Sequence, residues 1–67
     1  MRANEVVRLL KKHGATLVRQ KGSHARFVSA CGNCATTVAM HAGDIPAGTL
    51  RAIERDMEEC YGKGWLR

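Results

Sequence analysis

The sequence predicts an α+β fold in which a helix, a three-stranded antiparallel sheet and a second helix follow one another. Apolar residues recur with helical spacing at both ends of the chain, and short alternating segments joined by turn signals lie between them. Strands with such short connections pair antiparallel. Two amphipathic helices can cover one face of a small sheet and leave the other face open. With 67 residues, the chain is expected to form one domain, residues 1–67, in which residues 61–67 are a tail.

The first helix is predicted over residues 4–13. Its apolar stripe follows the i, i+3, i+4, i+7 pattern and consists of Ala3, Val6, Val7 and Leu10, widened by Leu9. Asn4 is the expected N-cap, with Ala3 as the weaker alternative. Gly14 is expected to end the helix, because glycine adopts the left-handed conformation at little cost.

Three strands are predicted over residues 15–20, 24–29 and 35–40. The first connection is the turn Lys21-Gly22-Ser23. The second is a tight hairpin, Cys31-Gly32-Asn33-Cys34, built around a two-residue Gly-Asn loop. Both connections are short enough to fix neighbouring strands side by side.

The second helix is predicted from Pro46, which suits a first helical turn, to about residue 59. Its apolar stripe is Leu50, Ile53 and Met57, extended by Cys60. The tail has no predicted regular structure, and Trp65 looks exposed. Trp65 and Tyr61 have three interpretations: stacking on a nucleobase, packing on a partner protein, or packing on the domain's own core.

Strand alternation predicts which side chains face away from the helices. If Phe27 faces the core, Ala25 and Ser29 share its side, and the open side receives His24, Arg26 and Val28. In the third strand Val38 and Met40 are expected inside, with Ala39 and His41 outside. In the first strand Val18 is expected inside, with Leu17, Arg19 and Lys21 outside. The open face is thus predicted to collect Arg19, Lys21, His24, Arg26 and His41.

Charge is distributed unevenly along the chain, whose formal net charge is +5. Residues 1–26 carry seven Lys or Arg side chains against the single acid Glu5, whereas residues 44–60 carry five acids and two arginines. This asymmetry is typical of an oriented nucleic-acid binder, although an uneven solvated surface is an alternative. No apolar run approaches the roughly 20 residues of a membrane helix. A cytoplasmic protein without a cofactor is expected.

The predicted cluster suits metal-independent RNA cleavage, in which the ribose 2′-hydroxyl attacks its own phosphate. Histidine is the natural proton carrier for that reaction, so His24 is the predicted proton-transfer residue. Arg19, Lys21 and Arg26 would hold the phosphate. Gly22 would let the backbone approach the ligand closely, and Ser23 could orient His24 or donate to a phosphate oxygen. Metal-dependent cleavage would need clustered carboxylates, and five of the six acids lie elsewhere. On composition alone, a plain RNA-binding surface is favoured over a catalytic one.

Several segments together resemble the HicA family of bacterial toxins. They are an opening helix ending in His13-Gly14, the segment LVRQKGSHARF from Leu17 to Phe27, a third strand leading into His41, and DIPAGTLRAI from Asp44 to Ile53. The resemblance implies a double-stranded-RNA-binding-domain-like fold and an mRNA-cleaving toxin that arrests growth. It also implies a HicB-like antitoxin, expected to cover the active face in a hetero-oligomer. The family's catalytic histidine falls on His24, which makes catalysis the leading hypothesis and a non-catalytic RNA-binding module the alternative.

The cysteines allow several interpretations. Cys31 and Cys34 form a CxxC pair, which could bind zinc with Cys60, His41 or His13, act in redox chemistry, or form a disulfide across the hairpin. An ordinary turn is favoured over all three, and Cys60 is interpreted as the last apolar position of its helix. No metal site is predicted.

Three other basic or titratable groups are auxiliary candidates. His41 is either a second proton carrier or phosphate ligand, or a loop histidine with a structural hydrogen bond, and the second interpretation is favoured. His13 is expected to interact with the C-terminal dipole of the first helix. Lys11 and Lys12, together with Arg8, extend the RNA footprint or form a solvated helix face.

Overall fold

A helix, three strands and a helix follow one another in the computed structural model, which describes residues 1–66. The elements are α1 (Ala3–Lys12), β1 (Thr16–Lys21), β2 (His24–Val28), β3 (Ala35–Ala39) and α2 (Ala47–Tyr61). The strands form one antiparallel sheet in the order β1-β2-β3. The predicted α+β architecture is therefore confirmed. Neither helix of this described part is long and apolar enough to cross a membrane.

The core lies between the helices and one face of the sheet. The largest fully buried side chains are Val6, Leu10, Phe27, Thr36, Val38, Ile53 and Met57. Ala25 and Ser29 are also buried, which confirms the predicted inward set of β2. Met40 and Leu50, predicted as core residues, are only half-buried at the margin. Each fully buried aliphatic or aromatic side chain contributes about 1.5–3 kcal/mol relative to exposure, so a core this small depends on every member.

Helix α1 begins one residue earlier than predicted, and its N-cap is Arg2 rather than Asn4 or Ala3. Arg2 is extended because it pairs with Asp44 in an isolated antiparallel bridge. The Glu5 carboxylate accepts a hydrogen bond from the Arg2 backbone N–H at 3.1 Å, as the third helical residue does in a capping box. The tertiary bridge thus overrides the side-chain preference for an asparagine cap.

Strand β1 differs from the prediction at Val18. Leu17 lies opposite Phe27 and Arg19 lies opposite Arg26, so Val18 is an extra residue in an irregular, bulge-like position. The predicted inward position of Val18 is wrong, since 56% of it is exposed, and Leu17 rather than Val18 shares the side of Phe27. No residue of β1 is buried, because the helices pack mainly over β3, at the opposite edge of the sheet.

The β2–β3 connection is wider than predicted. Ser29 N–H donates to the Cys34 carbonyl at 2.8 Å, which closes a four-residue loop over residues 30–33 instead of a two-residue Gly-Asn loop. Gly32 N–H donates to the Ser29 carbonyl at 2.9 Å. The Ser29 hydroxyl also accepts the Cys34 N–H at 3.1 Å, so one buried serine holds both ends of the loop. This local bonding replaces the predicted tight hairpin.

The tail folds back onto the helices, contrary to the prediction of an exposed Trp65 without regular structure. Trp65 and Leu66 are 7% and 4% exposed. The Trp65 indole N–H donates to the Glu54 carbonyl at 2.8 Å. The ring meets Tyr61 edge-on at 5.3 Å between centroids, and Tyr61 stacks on His13 at 4.8 Å. Of the three interpretations of Trp65, packing on the domain's own core is the one observed. Arg67, the last tail residue, lies outside the described residues.

Candidate nucleic-acid interface

Four side chains of β1 and β2 share the face of the sheet that the helices leave uncovered. Lys21 lies directly opposite His24, and Arg19 lies directly opposite Arg26. Directly paired residues of antiparallel strands project to the same side, and all four are exposed. We call the group Arg19, Lys21, His24 and Arg26 the basic face. Four of the five residues predicted for the open face lie together despite the error at Val18, because the irregularity precedes Arg19. The fifth, His41, lies in the loop after β3.

A two-residue loop, Gly22-Ser23, joins Lys21 to His24 and sets the end of the basic face. Gly22 has φ of +59°, the sign that a type II′ hairpin turn requires at its first position, so a side chain there would be strained. The Ser23 carbonyl accepts the Met40 N–H at 2.6 Å, which ties the turn to the residue after β3. Gly22 and Ser23 therefore lie next to His24 in a turn that is held by the Lys21–His24 strand pair and by the hydrogen bond to Met40.

Thr37 belongs to the same face and was not predicted. It lies directly opposite Arg26, and its hydroxyl accepts a hydrogen bond from Arg26 Nη1 at 3.1 Å. This contact fixes the guanidinium across β3. Strand alternation could have predicted its position, because Thr37 lies between the inward-facing residues Thr36 and Val38 and so points to the open face.

The cations of the basic face have no anionic partner in the described part of the chain. No carboxylate within residues 1–66 forms an ion pair with Arg19, Lys21 or Arg26. The one acid paired with the N-terminal amine, Asp44, lies in the loop before α2, 3.6 Å from that amine. The remaining acids of residues 44–60 belong to α2, on the covered side of the sheet. The basic face can therefore attract a polyanion in a defined orientation.

The auxiliary candidates lie outside the basic face. His41 is exposed in the loop after β3, two residues beyond Ala39, which pairs with His24. It borders a cavity of about 320 Å³ lined also by Pro46 and Thr49. Lys11 and Lys12 are exposed at the end of α1, in the helix layer rather than on the open side of the sheet. Of these three, only His41 comes close to the end of the basic face.

The cysteines contradict the prediction of an ordinary turn. Cys34, just before β3, is disulfide-bonded to Cys60 near the end of α2, and Cys31 is free and exposed. The predicted alternative of a Cys31–Cys34 bridge is not formed, and Cys60 is more than an apolar helix position. The sequence pattern could have indicated this pairing. Strand alternation puts Cys34 on the inward side with Thr36, and Cys60 continues the inward Ile53–Met57 stripe of α2.

The zinc alternative finds no support in the described residues. Among residues 1–66, no group of three or more His, Cys, Asp or Glu side chains is arranged to hold a metal ion. His13, one of its proposed ligands, instead places its ring Nδ1 2.9 Å from the Leu9 carbonyl at the C-terminal end of α1.

Comparison with known families identifies the chain. The family model for the HicA toxin of bacterial toxin–antitoxin systems matches residues 3–58, which include both helices to within a few residues and the whole sheet. A comparison with curated proteins gives no match. The matched model describes the toxin of a toxin–antitoxin pair, which implies an antitoxin partner. The chain belongs to the HicA toxin family.

Proposed function

We propose that this chain is a metal-independent endoribonuclease that cleaves mRNA on the basic face, with His24 as the proton-transfer group. The observation that carries the proposal is the position of His24. It stands exposed on the central strand, opposite Lys21 and on the same side as Arg26. An imidazole can both accept and donate a proton, and the neighbouring cations supply the phosphate site.

The reaction is a transesterification followed by release of the downstream strand. The ribose 2′-hydroxyl loses its proton and attacks the adjacent phosphorus, the bond to the 5′-oxygen breaks, and that oxygen gains a proton. Neutral His24 can take the first proton, or its protonated form can supply the second. His41, near the end of the same face, is the candidate for the complementary step.

The cations act on the phosphate rather than on the protons. Arg19 and Arg26 can each bind a phosphate through two N–H groups, and Lys21 adds a compact charge. The negative charge that builds up on the phosphate oxygens in the transition state is stabilised by these groups. Gly22 lets the RNA backbone approach the turn closely, and Ser23 can donate to a phosphate oxygen. The basic face carries no carboxylate, which favours proton transfer over metal-assisted cleavage.

The antitoxin is proposed to bind over the same face. A HicB-like partner with acidic groups would match Arg19, Lys21 and Arg26 and exclude RNA sterically. Val18, 56% exposed at the bulge-like position of β1, adds apolar surface on that strand for such a complex. Release of the toxin in the cytoplasm, where mRNA is available, would then arrest translation and growth under stress.

The test compares wild type with His24→Ala in two assays with EDTA present. In the first assay, cleavage of a defined mRNA should fall by about 10²- to 10⁴-fold, the usual contribution of a general acid or base. In the second assay, affinity for the same RNA made uncleavable by 2′-O-methylation should be largely retained. His41→Ala is measured in parallel, and a comparable loss of cleavage would assign it the second proton.

Two outcomes would contradict the proposal. Equal cleavage by wild type and His24→Ala would remove His24 from the chemistry. Tight RNA binding by wild type without cleavage, at any pH tested, would identify the chain as a non-catalytic RNA-binding module that uses phosphate and shape contacts.

A further inference from the structure

Three sulfur atoms converge where the β2–β3 loop meets the C-terminal end of α2. Cys34 and Cys60 are disulfide-bonded, and the Cys31 sulfur lies 3.5 Å from the Cys60 sulfur. The Ser29 hydroxyl oxygen lies 3.3 Å from the Cys31 sulfur and 3.6 Å from that of Cys60. Cys31, Cys34 and Cys60 form what we call the three-cysteine cluster.

The members of the cluster differ in their access to solvent. Cys34 is only 5% exposed and Cys60 is half-buried, whereas Cys31 is exposed on the loop. A thiol arriving from solvent can therefore reach the Cys31 sulfur easily and the Cys34 sulfur hardly at all. Thiol–disulfide exchange requires direct attack on a disulfide sulfur, so an external reductant has almost no access to the Cys34 sulfur and restricted access to the half-buried Cys60.

We propose that the three-cysteine cluster is a thiol–disulfide exchange site in which Cys31 carries the shielded disulfide to the surface, where a low-molecular-weight monothiol of the glutathione type reduces it. This activity is independent of RNA cleavage and uses none of the basic face.

The exchange step conserves electrons within the chain. The Cys31 thiolate attacks the Cys60 sulfur, a Cys31–Cys60 bond forms, and the Cys34–Cys60 bond breaks. Cys34 leaves as a thiolate and takes up the equivalent of the proton that Cys31 lost. The close Cys31–Cys60 approach makes Cys60 the attacked sulfur and Cys34 the leaving group.

Reduction then takes place at the surface. An external monothiol attacks the Cys31 sulfur, forms a mixed disulfide with it and releases Cys60 as a thiol. A second monothiol attacks the external sulfur of that mixed disulfide, frees Cys31 and leaves as the oxidised dimer of the reductant. Two monothiols thus supply the two electrons and two protons, and the chain ends with three free thiols.

The surroundings of Cys31 favour the attacking form. The Ser29 hydroxyl, followed by backbone N–H groups of the loop, lowers the pKa of the Cys31 thiol, while burial and the charge of Glu59 oppose this change. Ser29 accepts the Cys34 N–H at 3.1 Å, which leaves its own proton free to point toward Cys31. Tyr61, the other titratable group that interacts with Cys31, has its pKa raised mainly by burial and also by the charge of Cys31. A thiolate at this position is the nucleophile that exchange requires.

The experiment measures how fast the disulfide of the oxidised protein is reduced by glutathione at neutral pH. Samples are quenched with acid and alkylated, and the number of free thiols is counted by mass spectrometry. Cys31→Ser is expected to be reduced at least tenfold more slowly than wild type. Ala30→Ser, a change in the same loop, is the matched control and is expected to react like wild type.

A second variant tests the geometry directly. Cys34→Ser removes the leaving group, so oxidation is expected to trap a Cys31–Cys60 disulfide that fragmentation mass spectrometry can locate. Equal reduction rates for wild type and Cys31→Ser would overturn the proposal. So would two free thiols in oxidised Cys34→Ser, or a wild-type protein that retains three free thiols after oxidation.

Discussion

The two faces of strand β2 have opposite character, although its five residues alternate between them. On the covered face, Phe27 is 1% exposed within the hydrophobic core, and the disulfide between Cys34 and Cys60 links α2 to the start of β3. On the open face, His24 and Arg26 are exposed, and the Arg26 side chain donates a hydrogen bond to Thr37. The first face holds the fold together, and the second is available to a partner.

This contrast separates the residues that stabilise the fold from those for which RNA contact is proposed. Neighbouring residues of a strand point to opposite sides, so the two tasks are interleaved in sequence but divided in space. Substitutions on the covered face should change unfolding, and substitutions on the open face should change RNA affinity.

The largest expected effect comes from opening the core. Phe27→Ala should lower the free energy of unfolding by about 3–5 kcal/mol, because it removes a buried aromatic side chain and leaves a cavity. Val18→Ala, on the uncovered β1, should change it by no more than about 0.5 kcal/mol. Urea denaturation followed by circular dichroism measures both. Similar losses for the two variants would show that β1 is covered in solution.

A smaller loss of stability is expected from removing the disulfide between Cys34 and Cys60 on the covered face. The disulfide closes a loop with a sequence separation of 26 residues, and chain entropy assigns such a loop about 3–4 kcal/mol. Cys60→Ser should lose this stability under oxidising conditions and approach wild type when dithiothreitol is added to both. Cys31→Ser is the control, expected to unfold like wild type. A Cys60→Ser deficit that persists undiminished in reductant would assign the loss to packing instead.

The smallest effect concerns the open face. Arg26→Gln should weaken binding to 2′-O-methylated RNA and reduce the slope of log affinity against log salt by about 0.7, the value of one contact to single-stranded phosphate. Thr37→Val keeps the charge and loses only the hydrogen bond that orients it. It should cost about 0.5–1.5 kcal/mol of affinity with an unchanged slope. Fluorescence anisotropy over a series of KCl concentrations separates the two variants, and an unchanged slope for Arg26→Gln would place Arg26 outside the phosphate contacts.

Strand β2 shows how much local pattern can predict. Its alternation from His24 to Val28 contains one large apolar residue, and this alone set the orientation of every neighbour. The helices could also be predicted from the sequence, because their apolar stripes repeat with the helical period. These stripes contain Val6 and Leu10 in α1 and Ile53 and Met57 in α2. The basic face follows from these two patterns, and the structure brings its four residues together as the sequence predicts.

The errors arise where distant contacts outweigh local pattern. Leu17 and Val18 are both apolar, so alternation could not show that Val18 is an extra residue. The N-cap moved because Arg2 pairs with Asp44, 42 positions along the chain. Trp65 is buried against Glu54 and Tyr61, and the pairing of Cys34 with Cys60 joins elements whose packing no local signal describes. The roles proposed for the basic-face residues are chemical and stay predictions until they are measured.

The middle position of β2 has a consequence for motion. Both edges of β2 are hydrogen-bonded, to β1 and to β3, and the turn before it is anchored through the Ser23 carbonyl. Its backbone amides should therefore exchange with deuterium more slowly than the outward-facing amides of the two edge strands. By this expectation, the imidazole of His24 would belong to the least mobile strand of the sheet. An RNA would meet a proton carrier whose backbone needs little rearrangement, and flexibility at the interface is left to the long cationic side chains around it.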